Sequence, residues 1–125
     1  MAPDPDRRTQ LLRGVLDTCL LALLAGTPTH AYDLVVLLER HGIEGVGYGT
    51  VYPLMSRLRR QGLVEERTEP SPSGPPRKVF SVSPAGRAAL AEWAQQWDAT
   101  TSSVRTVLTT AGVLPDQEVP AHVHT

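Results

Sequence analysis

The segment from Gly47 to Gly62 constrains the fold of this 125-residue chain more than any other stretch. Its apolar residues recur at intervals of three and four, which predicts a short amphipathic helix with one side against a core. These residues are Val51, Leu54, Met55 and Leu58. The opposite side carries arginines, hydroxyl groups and a tyrosine, and the segment contains no carboxylate. We therefore expect a basic surface on a helix that is anchored by its apolar side.

Pro53 limits where this helix can begin, because a proline inside a helix removes a backbone hydrogen bond and costs about 3 kcal/mol or more. With Thr50 as the N-cap, Pro53 would occupy the third helical position, where its missing N–H has no partner within the helix. We therefore expect the helix to begin near Thr50 with unpaired N–H groups, which attract anions. Phosphate is the anion that arginines on the same face also bind.

A second predicted helix lies just before this one in the chain, from His30 to about Arg40. The glycines between Gly42 and Gly47 permit the left-handed backbone that a tight turn between two helices needs. Two helices joined by a short glycine-bearing turn, the second of them basic, form the helix-turn-helix pattern. The basic helix thus has the place of a recognition helix.

A β-hairpin is predicted after the basic helix, with strands over residues 63–67 and 77–82. Between them, the four prolines of Pro70–Pro76 predict a loop, because proline lacks the backbone donor that a strand needs. A hairpin in this position is a wing. Arg77 and Lys78, at its base or tip, suit contacts with the minor groove or its phosphates.

A long C-terminal helix is predicted to begin at Ser83-Pro84, where serine is an N-cap and proline takes the first helical position. Its apolar stripe continues until Gly112, past a domain that is already complete. The first predicted helix, Leu11 to Ala25, is apolar over more than half of its circumference, since Leu11 and Leu21 widen its stripe. We expect these surplus apolar surfaces to pair across a homodimer.

The expected dimer interface contains residues of both helices. The same residues could instead line an effector pocket. Its residues are Leu12, Val15, Leu16, Cys19, Leu90, Trp93, Trp97, Val104 and Leu108. The fold class is then mainly α with a small β-hairpin wing (α+β), that is, a winged helix-turn-helix plus a C-terminal dimerisation helix. We expect a disordered lead at residues 1–6, the DNA-binding domain at 7–83, the dimerisation helix at 84–112 and a mobile tail at 113–125.

Composition argues against several other classes of protein. The formal net charge is −1, so only a local basic surface, and not the whole molecule, can attract nucleic acid. The single cysteine, Cys19, forbids an intrachain disulfide and suits a reducing cytoplasm, where we expect the protein. No apolar run is long enough to span a bilayer. No catalytic motif assembles, and the histidines, His122 and His124 among them, lack the spacing of a metal site.

The basic segment contains the runs Thr50-Val51-Tyr52-Pro53-Leu54-Met55, Arg57-Leu58 and Gly62-Leu63-Val64. These runs resemble the recognition-helix signature of the PadR-like transcriptional regulators, which are winged helix-turn-helix repressors. Upstream, His30-Ala31-Tyr32-Asp33-Leu34 is similar to the family's His-Gly-Tyr-Glu-Leu, and the whole resemblance covers roughly Leu11 to Leu108. It implies a homodimer that binds double-stranded DNA, with planar effectors held between the terminal helices in members of the family.

Together these features predict a repressor that binds an inverted-repeat operator through the helix Thr50 to Gln61 of each subunit. Residues expected near base edges are Gly49, Thr50, Pro53, Ser56 and Arg57. Residues expected on phosphates are Tyr32, Tyr48, Tyr52, Arg59, Arg60, Arg77 and Lys78. We expect no cofactor, and release by a small-molecule effector stays open. Two alternatives also stay open: a protein-interaction module that does not bind DNA, and a ligand sensor with a pocket at the dimer interface.

Overall fold

The computed structural model describes the backbone of residues 5–116 and the side chains of residues 7–116. Five helices and three strands follow one another in this part of the chain. In order they are α1 (Pro5–Arg13), α2 (Leu16–Gly26), β1 (Thr29–His30), α3 (Ala31–Arg40), α4 (Tyr48–Arg60), β2 (Val64–Ser71), β3 (Gly74–Val82) and α5 (Pro84–Thr110). The predicted fold class, mainly α with a small hairpin, is confirmed.

The N-terminal region differs from the prediction, because two helices replace the single one expected over Leu11 to Ala25. They are bent by 55° at a break over Gly14 and Val15. Glycine is a poor helix former, so a break at Gly14 is the least costly place for the bend. The first of these helices begins at Pro5, within the lead that we expected to be disordered, whereas residues 1–4 and most of the predicted tail, residues 117–125, lie outside the described part.

The core lies between α2, α3, α4 and the sheet. Leu20, Leu34, Met55 and Phe80 have no solvent exposure, and each such side chain contributes about 1.5–3 kcal/mol through its burial. Leu21, which we expected to widen the surface of the first helix, is also fully buried within the subunit. The surplus apolar surface of the N-terminal region is therefore smaller than the sequence suggested.

The recognition helix α4 begins earlier than predicted. Gly47, not Thr50, is the N-cap, and its carbonyl accepts hydrogen bonds from the N–H groups of Thr50 (3.0 Å) and Val51 (3.1 Å). Val46 and Val51, which flank this first turn, are both buried in the core at positions that commonly pack together as a hydrophobic staple. Pro53 consequently lies inside the helix, where it removes the bond that another residue would donate to the carbonyl of Gly49.

The hairpin is longer than predicted. Strands β2 and β3 pair antiparallel from Val64 opposite Val82 out to Ser71 opposite Gly74, so only the residues between those last two form the turn. The register shifts between Glu69 and Ser71, where prolines lie on both strands. The prediction of a long loop was wrong, because such an irregularity accommodates residues that cannot donate ladder hydrogen bonds. Strand β1 pairs with the other edge of β3 and completes a sheet of order β1-β3-β2.

Helix α5 begins as predicted. The hydroxyl of Ser83 accepts a hydrogen bond from the N–H of Gly86 (3.0 Å) and donates one to the carbonyl of Gly62 (2.6 Å), so it caps α5 and ties it to the end of α4. A Cβ at Gly86 would lie 2.0 Å from the carbonyl oxygen of Leu63, so only glycine fits there. The chain divides into two compact units between Ala94 and Gln95, a boundary within α5.

Candidate nucleic-acid interface

The two sides of α4 have opposite environments. Val51, Met55 and Leu58 are fully buried in the core, as the apolar spacing predicted. On the other side, the predicted base-edge residues Gly49, Thr50, Pro53 and Arg57 are exposed, together with Arg60, while Ser56 is half-buried. The basic face is thus open to solvent in the subunit, and none of the described side chains caps the N–H groups at the start of the helix.

Two of these cations, the open arginines Arg57 and Arg60, have no partner in the described part of the chain. Within residues 7–116 their guanidinium groups form neither a hydrogen bond nor an ion pair. Both groups are therefore available to an anion without the loss of an existing contact.

A different arrangement holds the cations beside the wing. The Nζ of Lys78 on β3 donates a hydrogen bond to the hydroxyl of Tyr52 (3.1 Å) and lies 5.6 Å from the centre of that ring. The ring of Tyr52 also stacks on Tyr48 with 5.5 Å between centroids. Tyr52 also packs against the core, so its ring is partly buried while its hydroxyl is bound by Lys78.

Glu66 completes this arrangement, and sequence reasoning did not identify it. Its carboxylate lies 3.5 Å from the Nε of Arg59 and 3.5 Å from the Nζ of Lys78. Its side chain is 17% exposed, against 52% for each cation. We call Tyr52, Arg59, Glu66 and Lys78 the clamped cluster. Although α4 itself has no carboxylate, β2 supplies one to the edge of its basic face.

The alternation of side chains along a strand is the sequence signal that could have identified Glu66. Residues two apart share a face of a strand, so Glu66 follows the buried Val64 on the core side of β2. The register sets Glu66 opposite Phe80, which makes Lys78 its diagonal neighbour on the same face. The hydrogen bond to Tyr52, followed by the charge of Glu66, raises the pKa of Lys78 above its ordinary value, so this lysine is a cation at neutral pH.

An open groove of about 550 Å³ gathers most of the predicted phosphate-binding residues. It lies between the start of α3, the start of α4 and the wing, and its lining includes Tyr32, Tyr48, Tyr52, Arg77 and Lys78. Asp33 contributes a carboxylate to the same groove. Arg59 and Arg60, the other two predicted phosphate contacts, lie outside the groove lining, towards the end of α4.

The residues expected at a dimer interface or effector pocket have mixed environments. Leu16 is only 4% exposed and belongs to the core of its own subunit. Five other residues of this predicted set lie in the first compact unit and are half-buried: Leu12, Val15, Cys19, Leu90 and Trp93. Burial, followed by the charge of Asp17, raises the pKa of the Cys19 thiol, which is thus neutral at physiological pH. In the second unit Trp97, Val104 and Leu108 are exposed, Trp97 at 49%.

The described residues form neither a metal site nor a single helix that could cross a membrane. Between residues 7 and 116, no three His, Cys, Asp or Glu side chains come close enough to hold a metal ion, and His122 and His124 lie outside that range. Over the described helices, none alone has the length and apolar character to cross a membrane, and only the bent pair α1 and α2 meets those criteria jointly.

Comparison with known proteins agrees with this geometry. Residues 20–92 match the model of the "Transcriptional regulator PadR-like family". The transcriptional regulator Rv3488 of Mycobacterium tuberculosis is 41% identical over 70 residues, which cover 54% of this chain and 62% of that protein, less than two thirds of its length.

Solved structures are similar over most of the chain. A PadR family regulator from Eggerthella lenta superposes with a TM-score of 0.76 at 34% identity, over 82% of this chain and 89% of that one. A PadR-like regulator from Bacillus cereus superposes with a TM-score of 0.72 at 32% identity, over 79% of this chain and 96% of that one. With the winged helix-turn-helix elements and the exposed basic face of α4, these matches show that the chain belongs to the PadR-like family and is a transcriptional regulator rather than an enzyme.

Proposed function

We propose that this regulator is a homodimeric repressor whose two α4 helices bind the half-sites of an inverted-repeat operator. One observation carries the proposal: α4 is fixed by a buried apolar side while its arginine-bearing side is open to solvent. A helix held in this way can enter the major groove with its side chains near base edges. Arg57 has the length and donor geometry for a guanine, the commonest specific contact.

The groove beside the wing supports a second part of the proposal, contact with the DNA backbone. Tyrosine hydroxyls, Arg77 and Lys78 line it, and such groups bind phosphates without reading sequence. The unpaired N–H groups of Tyr48 and Gly49 at the start of α4 add further donors. The groove would thereby set the depth and angle at which α4 enters the DNA.

Homodimer formation is supported by the apolar side chains of the second compact unit. Trp97, Val104, Val107 and Leu108 are exposed there, and an aromatic residue with aliphatic neighbours favours association. A two-fold axis would place two recognition helices about one turn of DNA apart. An effector that favoured another angle between the subunits would change this spacing and release the operator, provided that its affinity differs between the two states.

Electrophoretic mobility shift against the DNA upstream of the chain's own gene, over a series of salt concentrations, tests operator binding. Because phosphate contacts release counterions, affinity should fall by about tenfold or more between 50 and 200 mM salt. Absence of binding, or binding that does not depend on salt, would contradict the proposal and favour a protein-interaction module.

Analytical ultracentrifugation of the Trp97→Ser/Val104→Ser variant tests the dimer. Removal of two exposed apolar side chains should raise the dimer dissociation constant by about tenfold or more, since each loses over about 1 kcal/mol of burial. The variant Gln96→Ser/Arg105→Ser, at neighbouring exposed positions, should dimerise as the wild type does. An equally tight dimer in the first variant would place the interface elsewhere.

A further inference from the structure

A second cavity, distinct from the wing groove, lies between α1, the turn before α4 and the first two turns of α4. Its volume is about 680 Å³, within the range of roughly 300–1,000 Å³ that is typical of small-molecule sites. The guanidinium of Arg8 donates a hydrogen bond to the carbonyl of Gly42 (3.3 Å), which links α1 to the turn at one side of the cavity. All of its lining lies within the first compact unit.

The lining has two chemical characters. Leu12 and Leu54 are both partly buried and offer an apolar surface from opposite helices. Arg8, Arg13 and Arg57 contribute positive charge, and among the described residues of the lining only Glu44 contributes a carboxylate. Thr50, in the first turn of α4, also lines the cavity, so the positive end of the helix dipole adds to the same sign of potential.

We propose that this cavity binds an organic anion, a small molecule with one acidic group and a flat or branched apolar body. The arginines would pair with the acidic group, while the leucines would cover the apolar part. Binding at this site does not depend on the proposed function. Its consequence does: because Arg57 and Thr50 belong both to this cavity and to the basic face of α4, a bound anion would compete with DNA for them.

Two fluorescent probes that differ in one group test the site. They are 8-anilinonaphthalene-1-sulfonate, which is an anion, and N-phenyl-1-naphthylamine, which has the same rings without the sulfonate. In the full chain, Arg8→Gln/Arg13→Gln should lower the affinity for the sulfonate by about fivefold or more, since a paired charge is lost. The affinity for the neutral amine should stay within about twofold of the wild-type value. Retained binding of the amine also shows that the cavity is intact.

Arg7→Gln/Arg40→Gln is the matched control, because it removes the same net charge at exposed positions that do not line the cavity. Both probes should bind it as they bind the wild type. An equal loss of sulfonate affinity in the two variants would show general electrostatic attraction and overturn the proposal. Loss of binding of both probes in Arg8→Gln/Arg13→Gln would also overturn it.

Amide chemical shifts locate the bound sulfonate. The proposal requires the largest changes at residues 44–46 and Leu54; changes centred on Trp97 and its neighbours would overturn it. Saturating sulfonate should also weaken operator binding by about threefold or more if Arg57 is shared. A chain that binds the sulfonate here but binds no DNA would refute the proposed function alone. Salt-dependent DNA binding, with sulfonate affinity unchanged in Arg8→Gln/Arg13→Gln, would refute only the anion site.

Discussion

The open arginines and the clamped cluster are neighbouring parts of one cationic surface, yet the subunit prepares them differently. Arg57 and Arg60 have no internal partner among the described residues, so DNA can bind them without competition, but ordering each long side chain costs up to about 2 kcal/mol. Arg59 and Lys78 are already ordered by Glu66 and Tyr52. The disadvantage of this pre-ordering is that it places the carboxylate of Glu66 close to the DNA phosphates, which it repels. Adaptable contacts suit base edges, whereas pre-ordered contacts suit the backbone.

The strongest test of this comparison is Arg57→Ala. Loss of a base contact should weaken operator binding by about tenfold or more and should reduce discrimination between the operator and a mutated site. Fluorescence anisotropy with both DNAs measures the two effects. Arg87→Ala, at an exposed position on α5, is the control and should bind as the wild type does. If operator affinity stays within about twofold in Arg57→Ala, the open arginines do not contact bases.

A smaller effect is expected for Lys78→Gln in the clamped cluster. Loss of one phosphate contact should weaken all DNA sequences alike, by about three- to tenfold, and lower the slope of log affinity against log salt by about 1. Arg67→Gln is a matched control within the wing, because Arg67 is paired with Glu69 at 2.8 Å. An unchanged slope in Lys78→Gln would mean that the wing lysine does not reach the backbone.

Glu66→Gln should act in the opposite direction. It removes a negative charge that repels phosphates and competes for two cations, so operator affinity at low salt should rise by about two- to fivefold. The gain should shrink as salt increases, in an anisotropy titration at several salt concentrations. Glu65→Gln removes the same charge from the opposite face of β2 and should have less effect. Weaker binding by Glu66→Gln would show that orienting the cations matters more than the repulsion.

Tyr52→Phe is expected to have the smallest effect. The ring keeps its stack with Tyr48 and its place against the core, and Lys78 keeps the carboxylate of Glu66. Affinity should change by about twofold or less, and the free energy of unfolding by less than about 1 kcal/mol in chemical denaturation. A loss of affinity of about tenfold or more would instead assign the hydroxyl a direct contact with a phosphate.

Sequence patterns predicted the elements whose signals are local. The spacing of Val51, Met55 and Leu58 identified both sides of α4, because a helix repeats its face every three to four residues whatever surrounds it. Ser83-Pro84 identified the start of α5, because a cap depends only on residues within one turn. Both signals lie within residues 20–92, the range that the family model matches.

The same reasoning failed where propensity competed with packing. Pro53 argued for a helix that begins near Thr50, yet α4 starts at Tyr48, since the core burial of Val46 and Val51 fixes the first turn and outweighs one missing hydrogen bond. The prolines of the hairpin argued for a long loop, yet the pairing of β2 with β3 continues past them through an irregular register.

The sequence by itself determined the helix-turn-helix, the wing and the arginine-bearing side of α4, because each follows from residues close together in the chain. Only the tertiary structure decided that Glu66 lies between Arg59 and Lys78, and that Arg8 and Arg13 share a cavity with Arg57. These groups come from elements whose register and packing are set by the whole core. Their distances, and hence their electrostatic interactions, are fixed only when the chain has folded.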